Sequence, residues 1–261
     1  MASMDTTFTT DGPLGILTFN RPQARNAMTW GMYDALVATC DEVDRNDAIR
    51  VLVLRGAGGK AFAAGTDISQ FQSFRTPADG LRYEQRIGDV LDRLEQVTKP
   101  TIAQVEGVAA GAGCAIAVTC DLRVATPEST FGIPIARTLG NCLTGGAFSR
   151  LVDLIGPGHA KDILFTGRLL AAGEAQSIGL VNRVAPAEAI DATVRELASV
   201  IASNAPLSVR ASKVMNRRLM ALRRLSALDA QDLIEMCYTS ADFHEGVTAF
   251  LAKRRPQWKG R

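Results

Sequence analysis

The chain is 261 residues long, 47% hydrophobic and 21% charged, which excludes a disordered or fibrous chain and is enough to bury a large core. With 29 Lys and Arg against 27 Asp and Glu, the net charge of +2 gives no reason to expect a nucleic-acid or anionic-membrane partner.

Leu14 to Phe19 is a short β-rich run, stopped by Asn20-Arg21-Pro22. Met32, Leu36, Val37, Cys40 and Val43 recur at helical spacing and predict a helix from Thr29 to Asn46, with Thr29 as its N-cap. Val51 to Leu54 is apolar without alternation, as in a strand covered on both faces, and Gly56-Ala57-Gly58-Gly59 ends it in a turn between strands. Ala78 to Val97 again has helical period, stopped by Pro100, and Ile102 to Val105 reads as the next buried strand. Cys114 to Thr119 reads as helix and Leu122 to Ala125 as strand. After about Val184 the strand–helix rhythm gives way to helix over Ala187–Asn204, Leu207–Leu225 and Ala227–Leu251. The expectation is an α/β core over residues 1–197 followed by a helical region over residues 198–261. Leu207, Ala211, Val214, Met215 and Leu219 form an apolar face that packs on the chain's own core or meets another subunit. The basic tail from Lys253 to Arg261 reads mostly as a solvated terminus, and no repeat of about 20–50 residues is evident.

The start MASMDTTFTTDG has no basic or apolar leader, so no secretory signal is expected, and Met1–Ser3 are set aside from the fold argument. No apolar run reaches the roughly 18 residues of a membrane span. The five cysteines Cys40, Cys114, Cys120, Cys142 and Cys237 are scattered without a C-x-x-C, which suggests reduced thiols in a cytoplasmic protein. His159 and His244 lie far apart, so no zinc or other metal site is expected. Neither a G-x-x-x-x-G-K-[ST] loop nor a G-x-G-x-x-G fingerprint follows a strand, which disfavours a nicotinamide-dependent oxidoreductase.

Two small-residue segments remain, Phe62-Ala63-Ala64-Gly65-Thr66-Asp67-Ile68 and Gly107 to Cys114, each following a strand. Backbone free of side chains can approach a ligand, and N–H groups at a helix start can receive negative charge. The pattern fits two backbone donors converging on one carbonyl oxygen, or tight helix–strand packing alone.

The chain resembles the enoyl-CoA hydratase/isomerase (crotonase) superfamily nearly end to end. The resemblance rests on Asn20-Arg21-Pro22-Gln23-Ala24-Arg25-Asn26-Ala27-Met28, the Phe62–Ile68 loop, and Lys99-Pro100-Thr101-Ile102-Ala103-Gln104-Val105-Glu106-Gly107. Cys120-Asp121, Phe131-Gly132, Gly179-Leu180-Val181-Asn182 and the ending from Phe250 to Arg261 follow in the right order. It implies a spiral of β-β-α units with a C-terminal helical oligomerisation region, assembled as a homotrimer or a dimer of trimers. It also implies an acyl-CoA thioester substrate, with no separate cofactor because CoA is part of that substrate. By position, Thr66 and Ala112 would hold the thioester oxygen through their N–H groups, Ala112 standing where the family usually has Gly. Ala24, Arg25, Ala27, Ala64, Asp67 and Ile68 would contact CoA, with Asp67 more a cap for backbone donors than a proton carrier.

The family's hydratases use two glutamates, and at those positions this chain has Ala115 and Ile135. Adding water needs a base for the water and an acid at the α-carbon, which methyl groups cannot supply. Ordinary hydration is therefore not expected. Enolate chemistry without the glutamate pair leaves a lyase or isomerase of acyl-CoA, a malonyl-type decarboxylase or thioester hydrolase using the oxyanion hole alone, and a non-catalytic CoA-thioester binder. A single base for a double-bond shift is sought in Glu84, Asp67 or Cys142, although Glu84, Tyr83 and Arg86 also read as a solvated helix face. Tyr83 is a candidate proton donor, and Arg137 or Asn141 a candidate holder of a substrate carboxylate or polar tail.

Overall fold

The computed structural model describes residues 5–74, 76–226 and 228–260. The reading of Met1–Ser3, the first residue of the expected Ala227–Leu251 helix and the final Arg261 lie outside them. Among the described residues, strands β1 (Thr6–Asp11), β2 (Leu14–Phe19), β3 (Val51–Gly56), β5 (Thr101–Val105), β7 (Leu122–Ala125) and β10 (Arg183–Val184) form one sheet in that spatial order. Strands β4 (Ala61–Ala63), β6 (Val108–Ala110), β8 (Thr130–Gly132) and β9 (Leu170–Ala171) form a second. Consecutive strands therefore alternate between sheets: β3 then β4, β5 then β6, β7 then β8. Each pair leads into a helix, α2 (Pro77–Gln96), α3 (Ala112–Thr119) and, after the short α4 (Ile135–Thr138), α5 (Gly145–Thr166). That is the spiral of β-β-α units the resemblance implied.

The apolar runs explain the layering. On β3, Leu52 and Leu54 join the main core while Val51 and Val53 face a second cluster with Ile190, Val194 and Leu197 of α7 (Ile190–Ser203). Alternate side chains of a strand point to opposite faces, so a continuous apolar run is what a sheet covered on both faces requires. Helix α1 (Trp30–Arg45) is capped as expected, the Thr29 side chain accepting from Met32 N–H.

The remaining helices are α6 (Ala172–Ser177), α8 (Pro206–Ala221), α9 (Gln231–Tyr238) and α10 (Ala241–Leu251). The last expected helix is thus split at Thr239–Ser240, because the Ser240 hydroxyl accepts from Phe243 N–H and starts α10 afresh. The charged side chains of the tail, Lys253, Arg254, Arg255 and Lys259, are exposed as expected, while the backbone is held in place. Arg254 pairs with Glu245, and the N–H groups of Lys259 and Gly260 bond to Asp242, folding the chain end back onto α10. On α8 the expected apolar face does not pack on the chain's own core: Leu207 is 75% exposed and Met215 63%. No described helix is long and apolar enough to cross a membrane.

Candidate active site

The two small-residue segments meet. A Cβ placed on Gly111 would lie 3.6 Å from the Gly65 Cα, and one on Gly113 would sit 2.0 Å from the Ala63 carbonyl oxygen. Only glycine fits at 113, and Gly65 and Gly111 carry the positive φ values, 112° and 52°, that turn each loop. Ala112 lies inside α3, outside the left-handed region, so its methyl group carries no backbone penalty. Its N–H, in the first turn of the helix, has no acceptor among the described residues; the turn's first bond runs from Ala115 N–H to Gly111 O, 3.0 Å. Thr66 is pinned by a bridge to Met28: Met28 N–H donates to Gly65 O (2.8 Å) and Asp67 N–H to Met28 O (2.9 Å). The Thr66 N–H itself has no acceptor among the described residues.

The candidate CoA contacts fall in the same place. Ala64 N–H donates to Arg25 O at 3.1 Å, which brings Ala24, Arg25 and Ala27 beside Ala64, Asp67 and Ile68. Arg25 is exposed, whereas Asn26 is fully buried, and both have positive φ. The Asn26 side chain secures that turn, donating to Ala57 O (3.0 Å) and Ala61 O (2.7 Å) and accepting from Arg21 N–H (2.9 Å). Asp67 caps the turn after it, accepting from Ser69 N–H and hydroxyl and from Arg21. Burial acts to raise its pKa, but the Ser69 and Arg21 bonds prevail and hold the carboxyl below its usual range. A charged cap bound in this way is a poor proton carrier at neutral pH.

Above the loop lies a polar patch inside an aromatic shell. The Thr66 hydroxyl is 2.7 Å from the hydroxyls of both Tyr33 and Tyr83. Phe71, at 4.8 Å edge-on, and Trp30, at 5.8 Å, enclose the Tyr83 ring. Next along α2, Glu84 is only 5% exposed, and Tyr83 and Glu84 both border a cavity of about 880 Å³, whose lining runs along α2 and the start of α5 and includes neither Thr66 nor Ala112. The solvated-face reading of these two residues is therefore corrected: only Arg86 of the three reaches the surface, lying 4.4 Å over the Trp30 ring.

Tyr238 of α9 donates its hydroxyl to Glu84 Oε1 and accepts from Asn141 Nδ2 at 3.0 Å. Gly80 makes room for it, since a Cβ there would come within 2.4 Å of the Tyr238 ring. The second Glu84 oxygen makes no hydrogen bond among the described residues. Burial pushes the Glu84 pKa up to about 8, against the lowering effect of the Tyr238 bond.

Ala115 is part of the main core and Ile135 packs against it, so no carboxylate stands at either position. Asn141 joins Glu84 through Tyr238, but Arg137 is exposed and lines a separate cavity of about 490 Å³ with Arg254, Arg255 and Trp258. The Cys142 thiol donates to Leu233 O at 3.6 Å, and the neighbouring Cys237 thiol together with burial raises its pKa, which keeps it protonated and unfit as a base near neutral pH. Tyr33, Asn26 and Tyr238 were not found from sequence. Nothing local singles out Tyr33 or Tyr238, whereas the buried-turn role of Asn26 was carried by its place after Arg21-Pro22 in the family-like start. Among the described residues, no cluster of His, Cys, Asp and Glu is placed to hold a metal ion.

Comparison with known proteins agrees in family and differs in reaction. The family profile described as enoyl-CoA hydratase/isomerase matches residues 10–261. A short-chain-enoyl-CoA hydratase of Clostridium acetobutylicum is 35% identical over 246 residues, 94% of each chain. An enoyl-CoA hydratase/carnithine racemase structure from Magnetospirillum magneticum superimposes with a TM-score of 0.81 at 32% identity, over 99% of this chain and 97% of the other. A methylmalonyl-CoA decarboxylase, in complex with 2-nitronate-propionyl-CoA, superimposes with a TM-score of 0.90 at 26% identity over the whole of both chains.

Proposed function

The chain belongs to the enoyl-CoA hydratase/isomerase family, and from that premise we propose that it isomerises an acyl-CoA double bond through one proton-transfer group, Glu84. The N–H groups of Thr66 and Ala112 hold the thioester oxygen and stabilise the enolate that forms when an α-proton leaves. Glu84 takes that proton and returns it at the far end of the allylic system. Ala24, Arg25, Ala27, Ala64, Asp67 and Ile68 cradle the CoA portion. The observation that carries this reading is a buried carboxyl of raised pKa one residue along α2 from the tyrosine bonded to Thr66. Hydration would need a second carboxylate, and Ala115 and Ile135 supply none.

A second reading, decarboxylation of a malonyl-type thioester, is favoured by the 0.90 superposition on methylmalonyl-CoA decarboxylase. Loss of CO₂ would leave the same enolate, and Glu84 would then act as the acid that protonates it. A shared fold does not fix the reaction, so pH separates the two. The test is turnover of a 3-enoyl-CoA, methylmalonyl-CoA and crotonyl-CoA across pH 6 to 10, with Glu84→Gln beside the parent. Isomerisation predicts 3-enoyl turnover whose kcat/KM climbs with pH to a plateau above about 8 and is lost in the variant. Decarboxylation predicts methylmalonyl-CoA turnover that declines above about 8. Hydration of crotonyl-CoA at ordinary rates defeats both, and thioester binding without turnover leaves a non-catalytic binder. Self-association through the exposed face of α8, as a homotrimer or dimer of trimers, completes the proposal.

A further inference from the structure

Three hydroxyl groups, those of Tyr33, Thr66 and Tyr83, are joined by two hydrogen bonds, each 2.7 Å long. Three O–H protons cannot all be used in two bonds, so one is left without an acceptor among the described residues. Tyr33 is fully buried, does not border the large cavity, and has the Thr66 hydroxyl as its sole hydrogen-bond partner among the described residues. An unmet donor is costly in so enclosed a place, so Tyr33 donates to Thr66. Thr66 then donates to Tyr83, each link strengthening the next. The spare proton falls on Tyr83, which is 8% exposed against 0% for Tyr33; the Tyr83 hydroxyl lies 2.7 Å from that of Thr66, the residue whose N–H is the proposed donor.

We propose that Tyr83 is a third hydrogen-bond donor to the thioester oxygen, aimed by Thr66 and Tyr33 and acting beside the N–H groups of Thr66 and Ala112. The inference rests on the backbone-donor reading above and extends it. Thr66 thereby serves twice, its N–H as a direct donor and its hydroxyl as the relay that orients Tyr83. Tyr83 contacts the substrate and Tyr33 is a positioning residue. The donor is a fixed neutral hydroxyl that does not ionise in the working range, since burial raises the Tyr83 pKa well above its usual value. No proton is transferred, so the device suits either reading of the reaction. Its target is a carbonyl oxygen gaining negative charge.

The test compares the affinity of acetyl-CoA with that of S-ethyl-CoA, a thioether lacking the carbonyl oxygen, by titration calorimetry. The parent protein binds the thioester more tightly. Tyr83→Phe cuts that preference about five- to tenfold, the worth of one hydrogen bond, and leaves S-ethyl-CoA binding unchanged. Tyr33→Phe causes a smaller loss of preference, which a purely structural tyrosine would not produce, and Thr66→Ser retains the parent's preference. Thr66→Ala, which keeps the N–H and breaks the relay, gives the same loss as Tyr83→Phe and serves if that variant does not fold. An undiminished preference in folded Tyr83→Phe, or in folded Thr66→Ala where Tyr83→Phe does not fold, overturns the third donor while leaving the backbone donors standing. A parent protein with no preference for the thioester overturns the backbone donors and the third donor together.

Discussion

Replacing Glu84 by Gln keeps its volume and removes its titration. The folded pKa of about 8 lies above that of a free carboxyl, so the fold favours the protonated form. The stability this contributes is complete below the unfolded value of about 4.5 and is lost as pH rises through about 8. Between those limits the parent protein should lose about 1.4 kcal/mol per pH unit from this one group. Thermal melts from pH 5 to 8 should therefore fall more steeply for the parent than for Glu84→Gln, and equal slopes would show that Glu84 titrates normally. Asn26 offers a second test at this scale. Its amide donates to two backbone carbonyls from a fully buried position. Asn26→Asp turns a donor into an acceptor facing two acceptors, and a loss of about 2–4 kcal/mol is expected in urea unfolding.

At the scale of elements, Gly80 decides how closely α9 approaches α2. Alanine is the better helix former by about 1 kcal/mol, yet a Cβ at 80 would meet the near end of the Tyr238 side chain, which cannot swing away. Clash outweighs propensity, so Gly80→Ala should lower the melting temperature and move the pH midpoint of activity as Tyr238 is displaced from Glu84. A midpoint and stability equal to the parent's would show that α9 yields freely. The same scale explains what the sequence could and could not convey. Strands such as β3 and helices such as α1 were legible because their apolar period is long and unbroken. The strands β4, β6 and β8 have three residues each, too few to show alternation, and it is they that turn strand–helix alternation into a spiral. Helix α5 is interrupted at Gly156, with φ 76°, and Pro157, which masked its length. The loops carrying Thr66 and Ala112 were visible as runs of small residues. The surroundings of Glu84 were not, because Tyr238 reaches it from 154 residues away along the chain and is itself held by Asn141, 57 residues from Glu84.

For the molecule as a whole, α8 presents Leu207, Met215, Leu219 and, just past its end, Leu222 to solvent. A contiguous apolar face of this kind marks an association surface. Sedimentation should find a trimer or larger for the parent chain and monomer for Met215→Glu with Leu219→Glu, the monomer retaining its far-ultraviolet dichroism. A monomeric parent chain would assign that face to some other partner. The order in which the chain is made adds a consequence of the Tyr238–Glu84 contact. Both small-residue loops, α2 and the strands of both sheets precede α9 along the chain, so the tyrosine that closes over Glu84 is made after all of them. Until α9 packs on α2, the cover over Glu84 is incomplete, and burial is what raises its pKa. Its proton-holding character is thus gained late, when an element made after the sheets docks on one made before most of them.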